Sequence, residues 1–251
     1  MLINRPFILL ALIFLVLALA AVVGDVLRKW LHPLSEEERG DFGIILGATL
    51  TLLALLIGFT FSMAVSRYDQ RKNLEEEEAN AIGTEYLRAD LLPAPDTAKV
   101  HGLLKKYTEE RILFYTTRDP ELIAKINAET ADIQNQLWSS VRSVAATQPT
   151  PVVALAVSGM NDVLNSQGYT QAAWWNRIPV PAWMMMIAIA VCCNILIGYS
   201  AHRRDWRMFL IVPVAVSITF FLIADIDSPR RGTVRVAPQN LLSLQQSMQA
   251  P

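Results

Sequence analysis

The side chains able to do chemistry are few and scattered. His32, His101 and His202 fall in three separate segments, and the chain contains no HExxH, CxxC, GxSxG or glycine-rich phosphate loop. Cys192 and Cys193 are adjacent in an apolar run. Neighbours on a helix rarely bridge and no metal-ligand spacing is present, so they read as packing residues and say nothing about redox compartment. Two acidic groupings remain. Asp225 and Asp227, two residues apart, have the types needed for acid–base work or for holding a cation, or else they close the end of an apolar segment and pair with Arg230 or Arg231. Glu75, Glu76, Glu77 and Glu78 read either as a solvated helix face or, repeated around a symmetric assembly, as a ring of carboxylates that concentrates cations at a vestibule. No catalytic, cofactor or metal site is assigned.

These residues must be held by elements of a membrane protein. The 251 residues are 53% hydrophobic and only 18% charged, too apolar for an ordinary soluble domain. Crossing ~30 Å of hydrocarbon takes about 20 mostly apolar helical residues, since every backbone polar group must be satisfied within the segment. Four stretches qualify, at roughly 6–27, 42–65, 180–199 and 208–226. The first resembles a secretory signal in having little but Arg5 before it and an Ala18-Leu19-Ala20 tripeptide. Its apolar core, Phe7 to Val23, is too long for that, and it is read as a span.

The expected fold is therefore all-α and multi-pass. It divides into a first transmembrane pair (1–65), a helical extramembrane insert (66–179), a second transmembrane pair (180–227) and a C-terminal tail (228–251). No run alternates with period two, which speaks against a sheet. In the insert, Ala79, Ile82, Tyr86 and Ala89 make one helical stripe before Pro93-Ala94-Pro95 stops it. Val100, Leu104, Tyr107, Arg111 and Phe114 make a second. Asp119-Pro120 opens a helix carrying Ile126, Ile133, Leu137, Val141 and Val144, and Pro149-Thr150-Pro151 restarts the chain into Val152, Ala156, Met160 and Val163, ending near Gly168. Trp30, Trp174, Trp175, Trp183 and Trp206 sit near span ends, as interfacial rings do.

Charge excludes one class and leaves orientation open. A net charge of −1, with 12 basic and 15 acidic residues over 66–179, gives no footprint for nucleic acid. With insert and termini inside, the inner loops hold eight basic residues against six in the outer ones, and the basic 200–207 loop favours the reverse.

The second span carries the most pattern. Gly43, Gly47, Thr51, Ala54, Gly58 and Ser62 lie on one helical stripe, beginning with a GxxxG that lets helices approach closely in lipid. That contact is either within one subunit or between subunits. Beside it run Leu55, Phe59 and Met63, an apolar ridge that faces lipid or core, or that forms a dewetting constriction if repeated around an axis. The span is expected to leave the bilayer as one helix, with Arg67, Arg71 and Lys72 at headgroup level and the glutamates beyond.

Leu56-Ile57-Gly58-Phe59 followed by Ser66-Arg67-Tyr68-Asp69-Gln70-Arg71 resembles the second transmembrane helix of bestrophins. More closely, Gly58 to Ala64, Glu78 to Thr84 and Asp225 to Gly232 resemble the bacterial bestrophin-like domain family, and the likeness runs along nearly the whole chain. The resemblance implies a homo-oligomeric channel for inorganic ions in the bacterial inner membrane, with insert and termini cytoplasmic. It also implies a neck lined by Leu55, Phe59 and Met63, to within a helical step. The insert is shorter than in bestrophins, and no acidic cluster matches their calcium site, so calcium gating is not implied. Besides an oligomeric channel, two readings stay open: a non-conducting membrane module whose insert binds a partner protein, and, least supported by its motifs, an enzyme.

Overall fold

A computed structural model describes residues 5–31, 34–200 and 206–249. His32, His202 and most of the basic 200–207 loop lie outside the described residues, as does the side chain of Trp206. Among the described residues every regular element is helical: α1 Pro6–Trp30, α2 Glu36–Arg88 with a 3-10 turn at Ala89–Leu91, α3 Ala94–Thr116, α4 Pro120–Thr147, α5 Pro151–Trp175, α6 Val180–Ser200, α7 Trp206–Asp227 and α8 Gln239–Gln249. Among the described residues, four helical stretches are long and apolar enough to cross a membrane, and they contain the first three spans read from the sequence and nearly all of the fourth.

The chain divides into two compact units, residues 1–67 with 177–235, and residues 68–176 with 236–251. In the membrane unit, α1 packs on α6 and α7. Leu9, Ile13, Leu17, Ala20, Ala21 and Gly24 turn inward at helical spacing, while Phe7, Leu15, Leu19 and Val22 face outward. Lipid offers no hydrophobic gain for burying the inner stripe, so close packing must hold the helices together. Gly24 and Gly198 supply it. A Cβ on Gly24 would sit 2.8 Å from the Tyr199 nitrogen and 2.9 Å from Gly198 Cα, and one on Gly198 would sit 2.9 Å from the Ala21 carbonyl carbon. Trp183 is buried, edge-on against Phe220 at 6.0 Å between centroids.

The helix α2 starts with a capping box: Glu38 accepts from the Ser35 N–H at 2.8 Å and Ser35 Oγ accepts from the Glu38 N–H at 3.3 Å. Inside the apolar stretch, Thr49, Thr51 and Thr60 donate to the carbonyls of Ile45, Gly47 and Leu56 at 2.7–2.8 Å, which satisfies these three hydroxyls within the helix. Residues of α2 from Tyr68 onward belong to the helical unit.

That unit is built as the proline pairs imply. Asp119 accepts from the Glu121 N–H and Thr150 from the Val153 N–H, each with proline at the first helical position. All five residues of the α3 stripe and all five of the α4 stripe are buried. In α5 the buried residue is Val153, with Val152 exposed, and the helix runs to Trp175 rather than ending near Gly168. Trp174 lies in this core, tilted on Phe114 at 4.9 Å and edge-on to Tyr115 at 5.4 Å, and Trp175 is exposed. The expected tail is not a separate segment. From Val236 it joins the helical unit, where Leu241 and Met248 of α8 enter the core and Leu244 packs against it.

Candidate functional site

The face of α2 that carries the small-residue stripe is uncovered in the single chain. Only 6% of its most apolar stretch is buried, against 33% for α1 and 44% for α7. Leu53, Thr60 and Ala64 are its buried residues. A Cβ on Gly43, Gly47 or Gly58 would meet nothing within 4 Å, and Thr51, Ala54 and Ser62 are exposed. The tight packing inside the chain is made by Gly24 and Gly198 instead. Leu55, Phe59 and Met63 are likewise open, Phe59 at 64% exposure.

The four glutamates separate into two pairs. Successive helical residues point about 100° apart, so Glu75 and Glu78 share a face that Glu76 and Glu77 do not. That face also holds Arg71, Ile82, Glu85 and Ala89, and every one of them is buried. Glu76 and Glu77 are exposed. Glu75 accepts from the Leu241 N–H at 3.0 Å and from Asn240 Nδ2 at 2.6 Å, placing a carboxylate at the positive end of α8. Glu78 accepts from Arg111 Nε at 2.5 Å, Tyr115 Oη at 3.1 Å and Thr170 Oγ1 at 3.2 Å, tying α2 to α3 and α5. Burial and the Glu78 charge both push the Tyr115 and Tyr107 hydroxyls up, so both stay neutral. Burial is the largest influence on Arg111 and opposes its charge, but Glu78 together with Tyr107 and Tyr115 holds the guanidinium above its ordinary value. Glu75 and Glu78 are thus structural anchors, leaving Glu76 and Glu77 as the vestibule candidates. Arg71, expected at headgroup level, is buried in the helical unit, while Lys72 is exposed.

At the end of α7 the two aspartates are buried and differently employed. Asp225 accepts from Thr233 N–H at 2.8 Å, Thr233 Oγ1 at 2.8 Å and Val234 N–H at 2.9 Å, drawing the chain back over the helix end. Gly232 permits this approach, since a Cβ there would sit 2.9 Å from the Ser228 carbonyl oxygen. Asp227 accepts from the Ile178 N–H at 3.2 Å and lies 3.6 Å from Arg67 of α2, a partner the sequence reading did not name beside Arg230 and Arg231. Arg231 is exposed. The sequence named the cluster and missed Arg67 because an ion pair between distant helices leaves no spacing to read. Among the described residues, no three His, Cys, Asp or Glu side chains gather as a metal site requires. His101 stacks on Tyr86 at 3.9 Å and lies 3.4 Å from Asp90.

Such a chain is a multi-pass helical membrane protein with one spanning helix left uncovered. Residues 13–241 match the family model of the Bestrophin-like domain, and the chain belongs to that family. Solved structures share its fold. One variant of a bacterial bestrophin homologue from Klebsiella pneumoniae is 17% identical, with 97% of each chain covered and a TM-score of 0.64. Another variant is 16% identical, with 95% of this chain and 97% of that one covered and a TM-score of 0.65. A structure described as a membrane protein is 15% identical over the same shares, also at 0.65. No curated protein matches the chain.

Proposed function

We propose that the chain is one subunit of a homo-oligomeric ion channel of the bacterial inner membrane, in which the uncovered face of α2 meets other copies and lines the conducting path. The observation that carries this reading is the open small-residue stripe. Glycines and hydroxyls facing lipid gain little, whereas against a second helix they allow the close approach on which association in a bilayer depends. Family membership supports the same reading. Leu55, Phe59 and Met63 then form the constriction, holding back ions because apolar side chains offer water and ions no hydrogen bonds. Glu76 and Glu77 supply the charges outside it. The resemblance to bestrophins favours a cytoplasmic helical unit and termini.

The mass of the purified protein in detergent and ion flux in liposomes test this directly. A defined oligomer should leak more as Phe59→Ala than as wild type, and Leu52→Ala, which points about 60° away from Leu55, should change flux less. A monomer, or an oligomer silent in all three forms, overturns the channel. The partner-binding reading would then stand on the groove of about 570 Å³ between α2 and α8, lined by Asn80, Tyr86, Leu87, Ser243 and Ser247.

A further inference from the structure

Three glutamates lie on the buried face of α2, and only two are answered. Glu75 meets N–H donors and Glu78 meets Arg111, Tyr115 and Thr170. Glu85 is fully buried, and neither of its oxygens has a hydrogen-bond partner. Its carboxyl rests against Gly159 of α5, where the glycine makes the space: a Cβ there would overlap Glu85 Oε2 and sit 2.6 Å from Arg88 Nη1.

The neighbouring charges are Arg88, one turn further along α2, and Asp162 on α5. Arg88 lies 4.0 Å from Asp162 Oδ2 and makes no ion pair with Glu85. A cavity of about 210 Å³ opens beside Gly159, lined by Asn80, Thr84, Arg88 and Asp162. It is wide enough to hold water and to let the guanidinium swing. An ionised carboxylate enclosed without donors is strongly disfavoured, so this arrangement suits the neutral acid.

We propose that Glu85 is a proton-binding site of the helical unit, and that its protonation decides where Arg88 is engaged. Protonated, the carboxyl packs on Gly159 and leaves Arg88 to Asp162. When the proton departs, the carboxylate draws Arg88 away from Asp162, and the α2–α5 contact at Gly159 loosens. Burial, partly opposed by Arg88 and assisted by Asp162, raises the Glu85 carboxyl to about 8, so the exchange falls near neutral pH. The proposal is independent of whether the protein conducts.

Infrared difference spectra of the full chain in detergent, acid minus alkaline, test it. Wild type should show a protonated-carboxyl carbonyl band that titrates near pH 8 and is absent from Glu85→Gln. Glu110, whose carboxyl is also raised by burial and by Glu129, contributes equally to both samples and cancels. Asp162 is 61% exposed, so Asp162→Asn should fold normally, and the band should then titrate at lower pH because the repulsion is gone and Arg88 is released. An unchanged band in Glu85→Gln, or a midpoint in the ordinary carboxylate range, overturns the proposal. So does an unmoved midpoint in Asp162→Asn. Failure of Glu85→Gln to fold at pH 6 overturns it as well, because glutamine mimics the protonated acid.

Discussion

Replacing Arg111 with leucine should be among the most damaging single changes in the helical unit. Arg111 and Glu78 are both fully buried, and the guanidinium also lies 4.4 Å over the Phe114 ring. At an effective dielectric near 20, two charges ~4 Å apart attract by about 4 kcal/mol. Removing one member of a buried pair costs about 3–5 kcal/mol, because the remaining charge stays enclosed. Glu78 would keep its bonds from Tyr115 and Thr170, which places Arg111→Leu near 4 kcal/mol after allowing for the lost cation–π contact of about 1 kcal/mol. For a unit of this size that is a fall of roughly 15 °C in its melting temperature. Scanning calorimetry of the full chain in detergent gives the midpoint, and amide exchange in α3 and α5 shows that this unit is the one melting. Glu78→Leu combined with Arg111→Leu should recover most of the loss, since two apolar side chains of similar volume leave no charge behind. A fall below about 3 °C for the single variant, or a double variant as damaged as the two singles added together, would refute the reasoning.

Gly198→Ala should prevent the membrane unit from folding, read as loss of monodisperse protein in detergent, whereas Gly47→Leu should leave the monomer folded and abolish the oligomer, read as mass. Between pH 4.5 and about 8 the native helical unit should hold a proton on Glu85 that the unfolded chain releases. The stability this confers is complete below 4.5, falls about tenfold in the folding equilibrium per pH unit through the window, and is gone above it; denaturation at pH 5, 6.5 and 8 should show that slope in wild type and not in Glu85→Gln. Asp225→Ala strips three donors of their acceptor and should cost about 2–4 kcal/mol, seen as faster proteolysis at Arg230 and Arg231.

Much of the scaffold could be read because local signals and packing agree. Asp119-Pro120 and Thr150-Pro151 mark where α4 and α5 begin, and the α3 stripe was complete even to Arg111, a charged residue at a core position whose partner the sequence could not name. The glutamate run misled for a geometric reason that was available beforehand: four consecutive helical residues must occupy every face, so two of them had to share a side with Ile82. Gly24 and Gly198 went unnoticed because neither belongs to a glycine pair within its own helix. Their match exists only across two helices 174 residues apart in sequence. The helix α8 was hidden by its brevity and its glutamines, which leave Leu241, Leu244 and Met248 as a weak stripe. Glu85 carried no signal at all, since an acid in a charged segment looks solvated until its surroundings are known.

The placement of α8 has a consequence for how the protein is made. Its helical unit is interrupted in sequence by α6 and α7, and the core around Leu241 is completed only by residues that follow them. At about 5–20 residues per second, synthesis from Asn176 to Gln239 takes roughly 3–13 s. For that interval the nascent unit holds an open socket, with Glu75 lacking the N–H groups it later receives from α8. Closure of the socket therefore comes after both later spans have left the ribosome, so the order of translation is written into the order of folding. A chain that stalled between those spans would keep an apolar cleft and an unanswered carboxylate on display, the features by which quality-control machinery distinguishes unfinished proteins from finished ones.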